Sequence, residues 1–391
     1  IISILMSSYD FYGLFDEDFA FDIKQFENIN FTGMTSMTFK CLQLIGSKFL
    51  GGAERWFFRF SSALAERGCP VELAVRKQSD LTQPYLTKLP VHQLPFRTVW
   101  DPISRKAISN LIQMTKPAIV QTYMGRATRL TRIKKSCAPV HIARLGGYYK
   151  LDGYRHAHAW VANTKGLCDY LIQQGFPAHK VYHIYNFIEI PDGSPADHQP
   201  SFRRSLGLQE DDIVLLSPGR FVPVKDHASM IKALADLPDR IDGRRVRVVL
   251  LGDGPLKEQL TRLADTLHVQ KQCVWPGWDN HPEKYYQIAD LVVFPSRDEE
   301  TLGNVILEAW AFRKPVVCTQ FRGAREITEH GTDAWLVPCG NSEQLALGIE
   351  STLRDSVLMK ELAHNGFEKV KRQFSKGVVL DQYLKLYDEL L

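Results

Sequence analysis

The chain has 391 residues, of which 45% are hydrophobic and 24% are charged, and its formal net charge is +4. This length predicts two domains, and the composition is that of an ordinary globular protein. Apolar stretches such as residues 1–6 are far shorter than the roughly 20 residues a membrane-spanning helix needs, so we predict no such helix.

The seven cysteines are scattered along the chain, and none stands at a Cys-x-x-Cys spacing. This pattern predicts neither a disulfide framework nor a zinc knuckle, and it favours a reducing cytoplasm. His156 and His158 are only two residues apart and do not suggest a shared metal site. We therefore predict that the protein holds no metal.

Residues 1–36 differ from the rest of the chain. They carry six acidic residues against one base, Lys24, and show no helical or strand period. We interpret this segment as an N-terminal extension that is separate from the domains.

From residue 39 the pattern alternates between strands and helices. A short apolar run at 39–45 is followed by a glycine loop and by a helical period over 53–67 that ends at Gly68. Four further strands and one helix are predicted, at 71–75, 118–123, 140–145, 160–162 and 169–174. Such alternation favours a parallel sheet covered on both faces.

A break at 188–200 contains three prolines, which is typical of a linker, and the alternation then restarts. Strands are predicted at 213–217, 247–251, 272–275, 291–294, 315–318 and 334–337, with helices at 228–237 and 256–267. Residues 342–391 are predicted to be mostly helical. The fold class is therefore α/β, with two doubly wound parallel-sheet units whose ligands would bind beyond the carboxyl ends of the strands.

The segment SRDEETLGNVILEAWA, residues 296–311, follows an apolar strand and places Glu300 before a predicted helix and Glu308 inside it. The N–H groups of Gly303 and Asn304 at a helix start suit phosphate, and carboxylates can accept bonds from neighbouring sugar hydroxyls. Phosphate together with a polyol describes a nucleotide sugar. Two glutamates on a surface helix are the alternative interpretation.

Three further loops follow predicted strands. SPGRFVPVKDH brings Arg220 and Lys225 five residues apart, where both could bind one diphosphate, although loop charges in water would look the same. Gly51 and Gly52 open the first loop, where they permit close approach of a ligand or simply form a turn. The loop containing Gly254 lacks the third glycine of a dinucleotide fingerprint, so a nicotinamide cofactor is disfavoured.

Residues 101–158 contain eleven basic residues and only two acidic ones, Asp101 and Asp152. A solvated surface is the ordinary interpretation, but such a surplus also attracts phosphate-rich partners or an anionic membrane surface. We predict no nucleic-acid partner, because no recognition motif is present.

From about residue 39 to the end, the chain resembles glycosyltransferase family 4, the glycosyl transferases group 1, which have the GT-B fold. The matching stretches, in order, are GGAER, NFI at 186–188, GRFVPVKD, LLGDGPLKEQL, PGW at 276–278, and FPSRDEETLGNVILEAWAFRKPVV with GAREI behind it. The resemblance implies two Rossmann-like domains facing a cleft. We place an N-terminal acceptor-side domain at 37–190, a C-terminal nucleotide-sugar-binding domain at 191–375, and a last helix at 376–391 that packs back on the N-terminal domain.

The resemblance also implies roles for single residues. Arg220 and Lys225 match the diphosphate-binding pair, and Glu300 matches the glutamate at the donor sugar, so these three are the predicted catalytic residues. The remaining predicted donor-binding residues are Gly51, Gly52, Gly219, Gly254, Trp278, Leu302, Gly303, Asn304 and Glu308. Glu308 would hold the ribose hydroxyls, and the family requires neither a metal nor another cofactor.

The chain departs from the family pattern at two places. Many relatives carry a histidine after an N-domain strand, where this chain has ARLGGYY at 143–149. We assign Arg144, Gly146 and Arg126 to the acceptor side. The charged residues 297–299 precede Glu300 where relatives have small or aromatic residues, which predicts a charged donor pocket.

These features predict a retaining, metal-independent glycosyltransferase that moves a sugar from a UDP- or GDP-sugar to a glycan or lipid-linked acceptor. Synthesis of cell-surface polysaccharide or lipopolysaccharide is the expected setting, in the cytoplasm and peripherally on the membrane through residues 105–155. The alternatives are a non-catalytic GT-B module that binds a nucleotide or sugar, and an epimerase or phosphorylase of the same architecture.

Overall fold

Seven parallel strands form the first sheet, in the order β3-β2-β1-β4-β5-β6-β7. The computed structural model describes residues 39–134, 138–191 and 199–391, so the predicted extension at 1–36 and much of the predicted linker lie outside the described residues. The strands are Cys41–Ile45 (β1), Val71–Arg76 (β2), Val91–Leu94 (β3), Ile119–Tyr123 (β4), Val140–Leu145 (β5), Ala159–Ala162 (β6) and Val181–His183 (β7).

The second sheet contains six parallel strands in the order β11-β10-β8-β12-β13-β14, and the short strand β9 pairs antiparallel with β10. The strands are Ile213–Pro218 (β8), Arg240–Ile241 (β9), Arg244–Leu251 (β10), Cys273–Gly277 (β11), Leu291–Phe294 (β12), Val316–Thr319 (β13) and Trp335–Val337 (β14). β8 lies between β10 and β12, where the strand order reverses, so a crevice opens beyond the carboxyl ends of these strands.

Helices cover both sheets, because the central strands bury apolar side chains on both faces. Four helices follow strands of the first sheet: Gly52–Glu66 (α1), Pro102–Thr115 (α2), Met124–Leu130 (α3) and Lys165–Gln173 (α4). The others are Gln199–Ser205 (α5), His227–Asp236 (α6), Lys257–Thr266 (α7), Glu283–Ile288 (α8), Asn304–Ala311 (α9), Arg322–Ile327 (α10), Ser342–Arg354 (α11), Ser356–Lys369 (α12) and Lys376–Leu390 (α13). A π-helical turn, Val370–Phe374, joins α12 to α13.

The last helix, α13, returns to the first sheet. The Tyr383 ring lies 4.3 Å from that of Phe60 on α1, measured between centroids. The Tyr387 hydroxyl donates a 2.9 Å hydrogen bond to the buried Gln121 carboxamide on β4. The predicted fold class, two doubly wound parallel-sheet units with a helix crossing back, is confirmed. The domain boundaries stay a prediction.

The predictions of no disulfide framework and of no membrane-spanning helix can be compared with the described residues. The six cysteines among them are all free. Within 39–134, 138–191 and 199–391, no helix is both long and apolar enough to cross a bilayer.

Candidate active site

The loops beyond β8 and β12 lie side by side, because these two strands pair in parallel. The Arg297 N–H donates a 2.8 Å hydrogen bond to the Val224 carbonyl, which ties the two loops together. Lys225 ends a short 3₁₀ turn in the first loop, and its Nζ lies 2.8 Å from Glu300 Oε2 in the second. The structure thus brings together two of the three predicted catalytic residues, and both side chains are mostly buried.

Arg220, the third predicted catalytic residue, lies earlier in the β8 loop. Its side chain is exposed and has no ion-pair partner in the described part of the chain. Within the described ranges its positive charge is therefore not neutralised by a carboxylate. Such a group can bind a phosphate of a ligand.

The start of α9 follows directly after the loop that carries Glu300. Gly303 is the N-cap residue and has a φ of +76°, and an added Cβ would lie 2.5 Å from Phe321 Cζ. The position therefore requires glycine, both for its left-handed backbone and for the close approach of the Phe321 ring. Among the described residues, the N–H groups of Gly303, Asn304 and Val305 have no hydrogen-bond acceptor, so they are available to an anion. Leu302 is buried beneath this turn.

Glu308 lies one turn into α9 and is half-buried. The Tyr286 hydroxyl donates a 2.6 Å hydrogen bond to Glu308 Oε2. Burial raises the pKa of Glu308, while this hydrogen bond and the charges of Arg59 and Lys225 act in the opposite direction. Arg59 belongs to α1, so a helix beside the first sheet contributes to the electrostatics of a residue near the second.

The glycine-rich loops beyond β8 and β10 pack on each other. The Gly219 N–H donates a 2.9 Å hydrogen bond to the Leu251 carbonyl, and the Phe221 N–H donates one of 2.9 Å to the Asp253 carbonyl. A Cβ on Gly254 would lie 2.6 Å from the Phe221 carbonyl oxygen. These predicted donor-binding glycines allow backbones to meet closely in the described structure.

The first loop beyond β1 places Gly51 at the N-cap of α1 and Gly52 at the first helical position, where it is exposed. Glu54, which is buried, accepts a 2.9 Å hydrogen bond from the Gly51 N–H through Oε2. An internal carboxylate therefore already accepts from the N–H of one of the two glycines that are predicted to bind the donor. Gly52 remains open, with no atom within 4 Å of the position of an added Cβ.

Of the predicted acceptor-side residues, Arg144 lies in β5, Gly146 follows that strand, and Arg126 lies in α3, which follows β4. Arg144 is 4% exposed, and its guanidinium carbon lies 5.0 Å from the Trp56 ring centroid. A Cβ on Gly146 would lie 3.0 Å from Arg144 Nη1. Arg126 donates a 2.9 Å hydrogen bond to the Gly46 carbonyl, and burial together with the charge of Arg76 lowers its pKa.

Trp278 follows β11, and its side chain is 53% exposed. Arg55 on α1 reaches this loop: its guanidinium carbon lies 5.1 Å from the Trp278 ring, and Nη2 donates a 2.9 Å hydrogen bond to Asn280 Oδ1. An exposed aromatic ring beside the crevice can stack on a flat ligand group.

The charged run before Glu300 is partly neutralised within the protein. Asp298 lies 3.1 Å from Arg322 and 2.8 Å from Arg325, both on α10. Arg297 Nε lies 3.6 Å from Asp226 Oδ2. Much of the charge that the sequence places near the pocket is therefore used in ion pairs with neighbouring loops and helices.

Protein metal sites are usually formed by several carboxylate, histidine or cysteine ligands that lie close together. No group of three or more such residues that could bind a metal ion occurs within the described ranges. Metal independence stays a prediction.

Sequence reasoning did not identify three contributors to this region. Tyr286 bonds Glu308, Glu54 bonds Gly51, and Asn186 bonds Asn304 across the crevice with a 3.0 Å distance between Nδ2 and Oδ1. Tyr286 and Asn186 act through tertiary contacts, so no local pattern indicates them. Glu54 stands three residues after Gly51, at the capping-box spacing, which is a local signal that the sequence does contain. Asn186 belongs to NFI at 186–188, one of the stretches that match glycosyltransferase family 4. That match is the signal that could have identified it.

Two family signatures match consecutive parts of the chain: Glycosyltransferase Family 4 over residues 50–190 and Glycosyl transferases group 1 over residues 198–369. The lipopolysaccharide core biosynthesis glycosyltransferase LpsE of Rhizobium meliloti (strain 1021) is 31% identical over 339 residues, which cover 86% of this chain and 95% of that protein. LpsD of the same organism is 28% identical over 343 residues, with the same coverage.

Solved structures have the same fold. HepE of Anabaena, in complex with UDP and glucose, aligns with a TM-score of 0.76 at 21% identity, covering 90% of this chain and 100% of that one. WaaG, a glycosyltransferase involved in lipopolysaccharide biosynthesis, aligns with a TM-score of 0.67 at 18% identity, covering 90% and 99%. The chain therefore belongs to glycosyltransferase family 4, the glycosyl transferases group 1, and is a glycosyltransferase of GT-B fold.

Proposed function

We propose that this glycosyltransferase transfers a hexose-type sugar from a UDP- or GDP-sugar, with retention of anomeric configuration and without a metal. The single observation that carries the proposal is the contact between Lys225 and Glu300, just before the N-terminus of α9. In the proposal the ammonium binds phosphate and the carboxylate accepts from sugar hydroxyls, close to helix N–H groups that have no acceptor among the described residues.

Each group has a role in this reaction. Lys225 and Arg220 neutralise the diphosphate as it leaves, so that negative charge develops next to fixed positive charge. Glu300 accepts hydrogen bonds from the donor sugar, and Glu308 accepts those of the ribose hydroxyls. The leaving phosphate takes the proton of the attacking acceptor hydroxyl on the same face of the sugar, which retains the configuration without a protein nucleophile.

The acceptor is proposed to be a glycan or a lipid-linked sugar in cell-surface polysaccharide or lipopolysaccharide synthesis. Support comes from LpsE and LpsD, which are lipopolysaccharide core biosynthesis glycosyltransferases. HepE, whose structure holds UDP and glucose, supports a nucleotide sugar as the donor.

We also propose that the protein works in the cytoplasm and contacts an anionic membrane surface through residues 105–155. Arg105, Arg129 and Arg132 have no carboxylate partner within the described ranges, and burial together with the charges of Arg105 and Arg129 lowers the pKa of Arg132. Trp100, beside Arg129, is 66% exposed. Clustered arginines next to an exposed aromatic side chain suit a lipid headgroup region.

The proposal is tested by screening UDP- and GDP-sugars for thermal stabilisation, followed by transfer and slow hydrolysis assays with the sugars that bind. Lys225→Ala and Glu300→Ala should each lower kcat roughly 100-fold or more, because charge stabilisation in the transition state is lost. NMR of the product should show the anomeric configuration of the donor.

Matched controls are the exposed residues Lys232 and Glu361, whose replacement by alanine should leave kcat unchanged. Full activity of either site variant would contradict the assigned site. Binding of nucleotide sugars without any transfer or hydrolysis would favour the non-catalytic module instead.

A further inference from the structure

We propose that Arg144 and Asn186 are positioning residues that fix the orientation of the Asn304 side chain at the donor site. This inference rests on the proposed function, because it assigns the neighbourhood of Asn304 to the nucleotide sugar. The chain of contacts starts in the first sheet and ends at the first residue of α9.

Asn186 is the central residue of this chain, and it is 6% exposed. Its Oδ1 accepts a hydrogen bond from Arg144 Nη2, and its Nδ2 donates one of 3.0 Å to Asn304 Oδ1. A carboxamide can accept on one side and donate on the other, so a single side chain connects the two neighbours.

Arg144 determines which way the Asn186 carboxamide faces. A guanidinium has only donors, so it requires the oxygen of Asn186, and the Asn186 nitrogen must then face Asn304. Asn304 in turn has to present its oxygen to Asn186. Its Nδ2 is thereby directed away from Asn186 and has no acceptor among the described residues, although the side chain is exposed.

Arg144 can serve as a fixed anchor because it is itself immobilised. Its guanidinium lies 5.0 Å from the Trp56 ring and 5.9 Å from the Tyr123 ring, and it has no carboxylate partner within the described ranges. Tyr123 is the register neighbour of Arg144 on the adjacent strand. Aromatic faces on two sides attract the cation and restrict its rotation.

The backbone of Asn186 is also held in place. The Phe187 ring lies 4.8 Å from the Trp56 ring, and the Ile188 N–H donates a 2.8 Å hydrogen bond to the Phe374 carbonyl. The donor that Asn186 offers is therefore fixed relative to the first sheet. Asn304, on the other side of the crevice, takes its orientation from that donor.

The consequence concerns the donor loop. Asn304 follows Gly303 and precedes Val305, and the N–H groups of both neighbours have no acceptor within residues 39–134, 138–191 and 199–391. The chain of hydrogen bonds from Arg144 through Asn186 to Asn304, called the relay below, thus adds an oriented amide donor, the Asn304 Nδ2, to these backbone donors. A phosphate or sugar hydroxyl oxygen of a ligand at the N-terminus of α9 would accept a hydrogen bond from this Nδ2.

The decisive variant is Asn186→Asp, which preserves size and keeps an acceptor for Arg144 but removes the donor to Asn304. Asn304 would turn its nitrogen toward the new carboxylate and present its oxygen to the ligand. We expect kcat/KM for the nucleotide sugar to fall about tenfold, with the acceptor KM unchanged within about twofold. The unfolding midpoint should not fall, since the carboxylate pairs with Arg144.

Asn304→Ala and the double variant complete the experiment. Both single variants lose the same oriented donor. The kcat/KM of the double variant should therefore equal that of the less active single variant within about twofold. Asp381→Asn is the control: it removes an exposed 2.8 Å pair with Arg67 between α13 and α1 and should leave all constants unchanged.

Wild-type kcat/KM in Asn186→Asp would overturn the relay, as would a double variant whose loss is the product of the two single losses. If the wild-type protein transfers no sugar from any UDP- or GDP-sugar, the proposed function fails. The relay is then decided by calorimetric binding of UDP and GDP, where the same tenfold, non-additive loss of affinity is expected. Absence of binding by either nucleotide would overturn both.

Discussion

The surroundings of the Glu308 carboxylate act on its pKa in opposite directions. Burial raises its pKa, and the Tyr286 hydroxyl, which donates a 2.6 Å hydrogen bond to it, opposes this effect. In the proposed role the carboxylate accepts bonds from ribose hydroxyls, so the affinity for the nucleotide should fall as pH decreases through the pKa of Glu308. Tyr286 therefore influences the pH range in which the donor binds.

Replacing Tyr286 by phenylalanine tests this role at the scale of a residue. The ring should keep its stacking on Phe312, 5.3 Å away between centroids, while the hydroxyl is lost. The pKa of Glu308 should rise further, so the decline of affinity on acidification should begin at a higher pH than in the wild type. Calorimetry of UDP or GDP, whichever binds, across a pH series should show the midpoint of this decline at a higher pH than in the wild type.

Tyr285→Phe is the matched control, because the Tyr285 hydroxyl donates to Asp279 and not to Glu308. The midpoint of its affinity against pH should equal that of the wild type. An unchanged midpoint in Tyr286→Phe would contradict the role of the hydroxyl.

At the scale of an element, the start of α9 depends on Gly303. Its positive φ and the approach of the Phe321 ring both exclude a side chain, and the turn leaves backbone N–H groups free for a ligand. The same residue therefore matters for the stability of the loop and for the geometry of the site.

Gly303→Ala should reduce both stability and activity. A left-handed alanine costs about 1–2 kcal/mol, and crowding against Phe321 costs about 1–3 kcal/mol more. We expect urea unfolding to show a total loss of about 3 kcal/mol, and kcat/KM to fall roughly 100-fold because the N–H groups move.

Gly331→Ala separates the two causes. Gly331 has a φ of +74°, close to that of Gly303, but no atom lies within 4 Å of an added Cβ. This variant should lose only about 1–2 kcal/mol of unfolding free energy and keep its activity. Equal losses in both variants would refute the steric part of the argument.

The strands differ in how well the sequence predicts them, and burial explains the difference. Residues 140–145 and 291–294 are predicted with the bounds that the structure has, because buried central strands give continuous apolar runs. β3 and β7 were missed: they lie at the two edges of the first sheet, and their residues are mostly partly exposed. An edge strand with such a pattern gives no clear period.

The site shows the same limit. Lys225 and Glu300 each follow a predicted strand, and ligands are expected at strand ends, but the sequence does not predict that these two strands are neighbours. Asn186 and Asn304 are 118 residues apart, and their contact depends on how the two sheets face each other. Local patterns contain no information on that arrangement.

At the scale of the whole molecule, the uneven distribution of charge predicts where the protein meets a membrane. Arg105 lies on α2, Arg129 on α3 and Arg132 just after α3, all next to the first sheet. Arg262 and Arg354, near the second sheet, pair with carboxylates instead. Positive charge that is not paired within the protein is free to attract anionic headgroups.

A triple variant of Arg105, Arg129 and Arg132 to glutamine should bind vesicles containing phosphatidylglycerol roughly 100-fold more weakly than the wild type, at about 1 kcal/mol for each charge. Sedimentation of the protein with the vesicles measures this loss. The wild-type binding should itself weaken as salt is added.

The corresponding triple variant of Arg204, Arg262 and Arg354 to glutamine removes the same charge from the other half of the chain and should bind as the wild type does. Equal loss in both triple variants would mean that net charge, and not the surface beside Trp100, drives binding. Binding of the wild type to neutral phosphatidylcholine vesicles alone would also contradict the proposal.

The return of α13 to the first sheet affects the order in which the protein can fold during synthesis. Tyr387 bonds Gln121, and Tyr383 packs on Phe60, so residues from the end of the chain complete the interior of the half that is synthesised first. The second sheet can assemble on its own strands as they leave the ribosome. The first sheet, although made earlier, must keep part of its interior uncovered until α13 has emerged.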